Sequence, residues 1–118
     1  MKLIEVKKLL DAEVLVGEDA LESEIISAFA CDLMSDVLAF VEDKSLLLTG
    51  LVNKQTIRTA EMMDIEAIIF VRGKIPNQEI LSLAKENNMV ILTTKHILYQ
   101  SCGILYNNGL RGANIMHK

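Results

Sequence analysis

Apolar residues follow two rhythms along this chain, short continuous runs and stripes that recur every three or four positions. Leu46, Leu47 and Leu48 form one run, and Ala67, Ile68, Ile69, Phe70 and Val71 form another. Each is too short for an independent helix and suits a strand covered on both faces. Between them Asn53 is placed to cap a helix, because its side-chain oxygen can accept from an orphan N–H. Ile57, Ala60 and Met63 then lie on one helical face, with Lys54, Arg58 and Glu61 toward water. Strand, helix and strand of this length predict a right-handed βαβ unit with parallel strands.

The same reading covers the rest of the chain. Residues 2–10 predict a short amphipathic helix with Leu3, Val6, Leu9 and Leu10 inward. Strands are expected over 13–16 and 24–31, then a helix over 32–40 with Asp32 as cap and Leu33, Val37 and Phe40 on one face, ending at Glu42, Asp43 and Lys44. Pro76 and Asn77 open a helix that faces the sheet through Ile80, Leu81 and Ala84 and ends at Asn87 and Asn88. Residues 89–92 predict another buried strand, followed by a last helix with Ile97, Leu98, Cys102 and Leu105 inward and Gly109 as its stop. Residues 110–118 are expected to be a loose tail. Strand-turn-helix units start at Ser45, Ala67 and Met89, a spacing of about 22 residues that suits minimal crossovers. The expected architecture is one domain over 1–118, a three-layer α/β/α sandwich around a mainly parallel sheet.

Composition adds bounds rather than elements. The 118 residues suffice for a core without a metal or disulfide staple. Hydrophobic residues make up 51% and the mean hydropathy is +0.31, which points either to a self-associating surface or to central strands that need many aliphatics. A net charge of −4 with two tyrosines, three phenylalanines and no tryptophan argues against a nucleic-acid partner. No apolar run approaches the ~20 residues of a membrane helix, and charges interrupt the N-terminal stretch where a signal peptide would be apolar. A cytoplasmic protein is expected. Cys31 and Cys102 belong to no C-x-x-C pair, and only His96 and His117 could serve a catalytic thiol.

In an open parallel sheet, ligands bind beyond the carboxyl ends of the strands, where helix N-termini point. Those ends are predicted at Thr49, Gly50 and Asn53, at Arg72, Gly73 and Lys74, and at Thr93, Thr94, Lys95 and His96. An acidic protein has thus placed four basic side chains on one edge. A phosphate or nucleotide held by N–H groups near Gly50 and Gly73, with Arg72 as a bidentate partner, is one reading. Ordinary strand-to-helix turns, with glycine supplying positive φ, are the other.

The turn from Gly50 to Thr56 is not a P-loop, because the second glycine is absent and Gln55 separates Lys54 from Thr56. Asp32 and Asp36 stand one helical turn apart and could offer two oxygens to a metal, but no third ligand completes a site, and no metal or cofactor is expected.

The blocks Asp32-Leu33-Met34-Ser35-Asp36-Val37-Leu38-Ala39-Phe40, Leu47-Leu48-Thr49-Gly50 and Val71-Arg72-Gly73-Lys74-Ile75-Pro76 occur in an order that resembles the DRTGG domain family. The resemblance runs from about Gly17 to Leu110. It implies a fold similar to the N-terminal domain of HPr kinase/phosphorylase, in a family that also occurs beside CBS domains in some inorganic pyrophosphatases and in phosphotransacetylase-like and cobyrinic acid synthase-like proteins. It further implies an accessory, regulatory module that often dimerises, with catalysis carried by other domains. Where many relatives have Thr-Gly-Gly, this chain has Val71-Arg72-Gly73-Lys74, a change that bears on anion binding at the edge.

Three functions remain open on these grounds. The first is a non-catalytic regulatory module, a homodimer with a partner protein or enzyme, sensing a small anionic metabolite, with Met34 and Phe40 as the expected protein contact. The second is a small phosphotransferase or hydrolase using the same edge, with His96 as acid or base. The third is a protein scaffold without a small ligand.

Overall fold

A computed structural model describes residues 1–40 and 44–113, with Phe40 described by its backbone alone. The expected helix end at Glu42 and Asp43, the Phe40 contact, His117 and the stretch 114–118 lie outside the described residues. In chain order the elements are α1 (Leu3–Leu9), β1 (Glu13–Val16), a 3₁₀ turn (Glu18–Ala20), β2 (Ser27–Ala30), α2 (Met34–Phe40), β3 (Ser45–Thr49), α3 (Lys54–Met62), β4 (Ala67–Phe70), α4 (Gln78–Glu86), β5 (Val90–Thr93) and α5 (Leu98–Asn107).

The five strands form one sheet in the order β1-β5-β4-β3-β2, with β1 antiparallel to β5 and every other pairing parallel. From β2 to β5 each step moves to the next neighbour in one direction. Right-handed crossovers of that kind place their helices on a common face. Indeed Met34 and Val37 of α2, Ile57 and Ala60 of α3, and Ile80 and Ala84 of α4 share one core with Leu47, Ile68 and Ile91. The opposite face carries α1 and α5, through Leu3, Val6 and Leu105, over Leu46, Leu48, Ile69 and Leu92. The strand register explains the division: Leu47, Ile68 and Ile91 are successive partners across three strands, as are Leu48, Ile69 and Leu92. Adjacent positions along a strand point to opposite faces, so two helical layers require continuous apolar runs. The sandwich read from the sequence is therefore the observed fold, and β3, β4 and β5 are buried throughout. Truncating a side chain at the centre of either layer, such as Leu47→Ala, would cost about 2–5 kcal/mol.

Several boundaries differ from the expectation, each for a local reason. The strand expected over 24–31 begins only at Ser27, because Ile25 and Ile26 donate instead to the carbonyls of Met1 and Lys44. Helix α2 starts at Met34, and Leu33 rather than Asp32 supplies the first helical carbonyl, to Asp36 and Val37. Leu33 is accordingly 59% exposed rather than inward, while Met34, expected at a protein contact, is in the core. Ile97 occupies the cap position of α5 and is half exposed. The tail expected from residue 110 is docked as far as Ala113. Leu110 is buried, the Ala28 N–H donates to Arg111 O at 2.9 Å and the Ala113 N–H donates to Ala28 O at 3.1 Å. This segment covers the outer edge of β2 at Ala28, where an unpaired strand edge would otherwise be exposed.

Candidate functional site

The carboxyl ends of β3 and β4 are tied together by their own turns. Thr49 ends β3 fully buried, and its hydroxyl donates to Asp32 Oδ1 at 2.8 Å while accepting from the Leu51 N–H at 3.1 Å. The Gly50 N–H also donates to Asp32 Oδ1, at 2.8 Å. Asp32 reaches this position because β2 runs parallel to β3 with Ala30 opposite Leu48, so the chain two residues further on arrives beside Gly50. The Gly50 N–H and then the Thr49 hydroxyl hold the Asp32 carboxyl below its usual range, with Arg72 and Lys74 adding to the effect and partial burial opposing it. Asp32 thus serves the β3 turn, a role its reading as a helix cap had missed. The register of a carboxylate just past the neighbouring strand was the available signal.

After β4 the chain turns sharply. Arg72 and Gly73 have φ of 60° and 67°, and the Lys74 N–H closes the turn onto Val71 O at 3.3 Å. Two left-handed residues in succession match a type I′ turn, a conformation glycine adopts freely and arginine does not. The Arg72 N–H donates to His96 O at 2.9 Å and the Gly73 N–H to Thr94 O at 2.8 Å, so the loop after β5 holds the strained turn in place. Lys74 Nζ donates to Gly50 O at 2.7 Å, and Thr93 Oγ1 donates to Lys74 O at 2.8 Å. Gly50 has no positive φ. Its need for glycine is spatial, since a Cβ built there would lie 2.9 Å from Arg72 Nη2 and 3.6 Å from Asp32 Oδ2.

The predicted edge is therefore divided. One half gathers Asp32, Thr49, Gly50, Arg72 and Lys74 around the Gly50 backbone. The other is a pocket of about 350 Å³ beyond β5, where Gly73, Thr93, Thr94, Lys95 and His96 meet Asp11 and Glu13. Those two acids arrive because β1 is antiparallel, which sets Glu13 opposite Thr93. No local sequence pattern announced that pairing. Asn53 caps α3 by accepting from the Thr56 N–H at 3.0 Å, and Thr94 Oγ1 donates to Leu10 O at 2.8 Å. The N–H groups of Gly50 and Gly73, against which the sequence placed a phosphate, both donate within the protein, to Asp32 Oδ1 and to Thr94 O. The side-chain donors at this edge are the exposed Arg72 fork and the N–H groups of Lys74 Nζ beyond the one given to Gly50 O.

Other features bound the site. A larger concavity, about 560 Å³, lies at the opposite end of the sheet beside Gly17, Glu18, Asp19 and Lys85, and its two acids oppose an anion. Cys31 packs on the α2–α3–α4 face and Cys102 on the α1–α5 face, so the sheet separates the thiols. Among the described residues no three His, Cys, Asp or Glu side chains are grouped to hold a metal ion, and no helix is long and apolar enough to cross a membrane.

No curated protein matches the chain. Among solved structures it is similar to the crystal structure of the CBS and DRTGG domains of the regulatory region of Clostridium perfringens pyrophosphatase, complexed with the activator diadenosine tetraphosphate, with a TM-score of 0.71 at 18% identity. The match covers 88% of this chain and 45% of that one, so the chain spans less than half the neighbour's length and the likeness is one of fold. The profile of the DRTGG domain matches residues 5–106. This match runs from within α1 to within α5 and includes both turns of the charged edge, and the chain belongs to the DRTGG domain family.

Proposed function

We propose that the chain is a non-catalytic regulatory domain of the cytoplasm that works as a homodimer with a partner protein or enzyme and senses a small anionic metabolite of the nucleotide or phosphorylated class. The observation that carries the reading is the Arg72 turn. A non-glycine residue held at φ 60° by two neighbouring loops is conformationally costly, and such positions persist where the surroundings over-determine them, often at ligand sites. The turn holds a guanidinium over the Gly50 backbone, beside Lys74 and the carboxylate of Asp32. A planar fork of this kind suits a phosphate better than a point charge does. The ligand of the C. perfringens neighbour, a dinucleoside tetraphosphate, is of the proposed class.

Thermal unfolding across a panel of nucleotides and phosphorylated metabolites, run beside Arg72→Ala, tests the ligand. A ligand that binds only the folded state at about 100 times its Kd adds about 2.7 kcal/mol, a shift of several degrees. The expected result is such a shift in the native chain, lost in the variant. No shift across the panel would sink the sensing reading and leave a protein-interaction domain.

A further inference from the structure

We infer that the outer face of α5 is the surface on which two copies of this chain associate, around a two-fold axis passing close to Gly103. The inference rests on the dimeric reading above and assigns its location.

Residues 97–110 contain no Asp, Glu, Lys or Arg, although 24% of the chain is charged. The stretch is nevertheless largely at the surface, with Tyr99 85% and Tyr106 72% exposed. Between the tyrosines stands Gly103, exposed in mid-helix, where an added Cβ would meet nothing within 4 Å. Glycine there costs the isolated helix about 1 kcal/mol relative to alanine, and no packing within the chain requires it. Positions 99, 103 and 106 share one helical side, so the missing side chain leaves an open groove of about 510 Å³ that Tyr99, Gln100, Tyr106 and Asn107 also line.

These features favour a second copy as occupant. In a two-fold contact each surface meets itself, so any charge near the axis faces a like charge, and an uncharged strip avoids that cost. The same lack of basic residues disfavours an anionic membrane surface. A ridge made by one copy's tyrosine fits the groove left by the other's Gly103, and tyrosine is among the residues enriched at interface hot spots. Two tyrosines bury roughly 150–250 Å² each, together about 40–60% of the roughly 800 Å² per partner of a standard interface. The remainder is available next to them. An apolar cleft of about 180 Å³ runs from Tyr106 and Cys102 to Ala28 and Ala30 of β2, on the sheet face that α1 and α5 cover.

The test is light scattering on the native chain and on Gly103→Arg, together with acrylamide quenching of tyrosine emission. Tyr99 and Tyr106 are the only tyrosines and there is no tryptophan, so emission reports this face without a label. The native chain is expected at twice 13.1 kDa. Gly103→Arg should raise the dimer dissociation constant by roughly 30-fold or more, the scale of an interface hot spot, without lowering the monomer's thermal midpoint. Quenching should fall as the native chain is concentrated through its dimerisation range. A native chain monomeric at every concentration overturns both the dimeric reading and this location. A native dimer that Gly103→Arg leaves intact, or whose tyrosines stay as accessible as in the monomer, overturns the location alone.

Discussion

Asp32 Oδ1 accepts from the Gly50 N–H and from the Thr49 hydroxyl, each at 2.8 Å, and so closes the turn after β3 with a carboxylate that follows β2. Both bonds favour the ionised form and hold the carboxyl below its usual range. A group whose folded pKa lies below the unfolded one, about 3.9 for Asp, stabilises fully above the unfolded value and loses that contribution as pH falls through the folded value. Asp32→Ala should therefore cost roughly 1 kcal/mol at pH 7, a figure at the lower end for such bonds because the side chain is partly in water. The gap from the native chain should narrow below about pH 4. Urea midpoints at pH 7 and pH 3 check this, and a gap equal at both values would contradict it.

The strain at Arg72 is separable from its charge. Arg72→Ala keeps a Cβ at φ 60° and loses the guanidinium, whereas Arg72→Gly loses both. The glycine variant should be more stable than the alanine variant by about 1 kcal/mol, since the left-handed conformation penalises only the residue with a Cβ. Both should lose the response to an anionic ligand. Paired denaturation curves decide it, and equal midpoints would mean that the turn relaxes in the variants.

Gly50→Ala should separate the site from the fold in a second way. Its Cβ would approach the far end of the Arg72 side chain, 2.9 Å from Nη2, rather than any backbone atom. The guanidinium can swing aside, so the thermal midpoint should move by a few degrees at most, while any ligand-induced shift should shrink. A large loss of stability, with ligand response intact, would show that Gly50 serves the fold.

Gly17 provides the contrast. With φ 86°, an added Cβ would lie 2.9 Å from both Met89 O and Val90 Cα, and that backbone belongs to the central sheet or its approach. Gly17→Ala should cost about 2–4 kcal/mol, from crowding together with the left-handed penalty. Chemical denaturation measures this directly, and a cost under about 1 kcal/mol would mean that the β1 turn shifts freely.

How much of this was legible beforehand follows the range of the interactions involved. The caps at Asn53 and Asn77, the stop at Gly109 and the buried runs of β3, β4 and β5 are local, set by residues within one turn or one strand of each other. Leu33 and Ile97 were misplaced because both fall where a helix begins, and a shift of one residue there turns a side chain from core to solvent. The charged edge was visible as a set of basic turns, since Arg72, Lys74, Lys95 and His96 all follow predicted strands. Its division was not visible, nor was the use of the Gly50 and Gly73 N–H groups by Asp32 and Thr94.

The amino-acid sequence by itself determined the layers of this protein. A strand buried on both faces must be apolar at every position, a helix on one face only at every third or fourth, and both patterns are properties of neighbouring residues. The tertiary structure decided where β1 sits. Its antiparallel pairing with β5 depends on contacts some 80 residues apart, as from Glu13 to Thr93, and brings Asp11 and Glu13 to the half of the edge that holds Lys95 and His96. It likewise decided that Asp32 completes the Gly50 turn and that Gly103 faces open space, because neither a strand register nor the absence of a neighbour is recorded in the residues nearby.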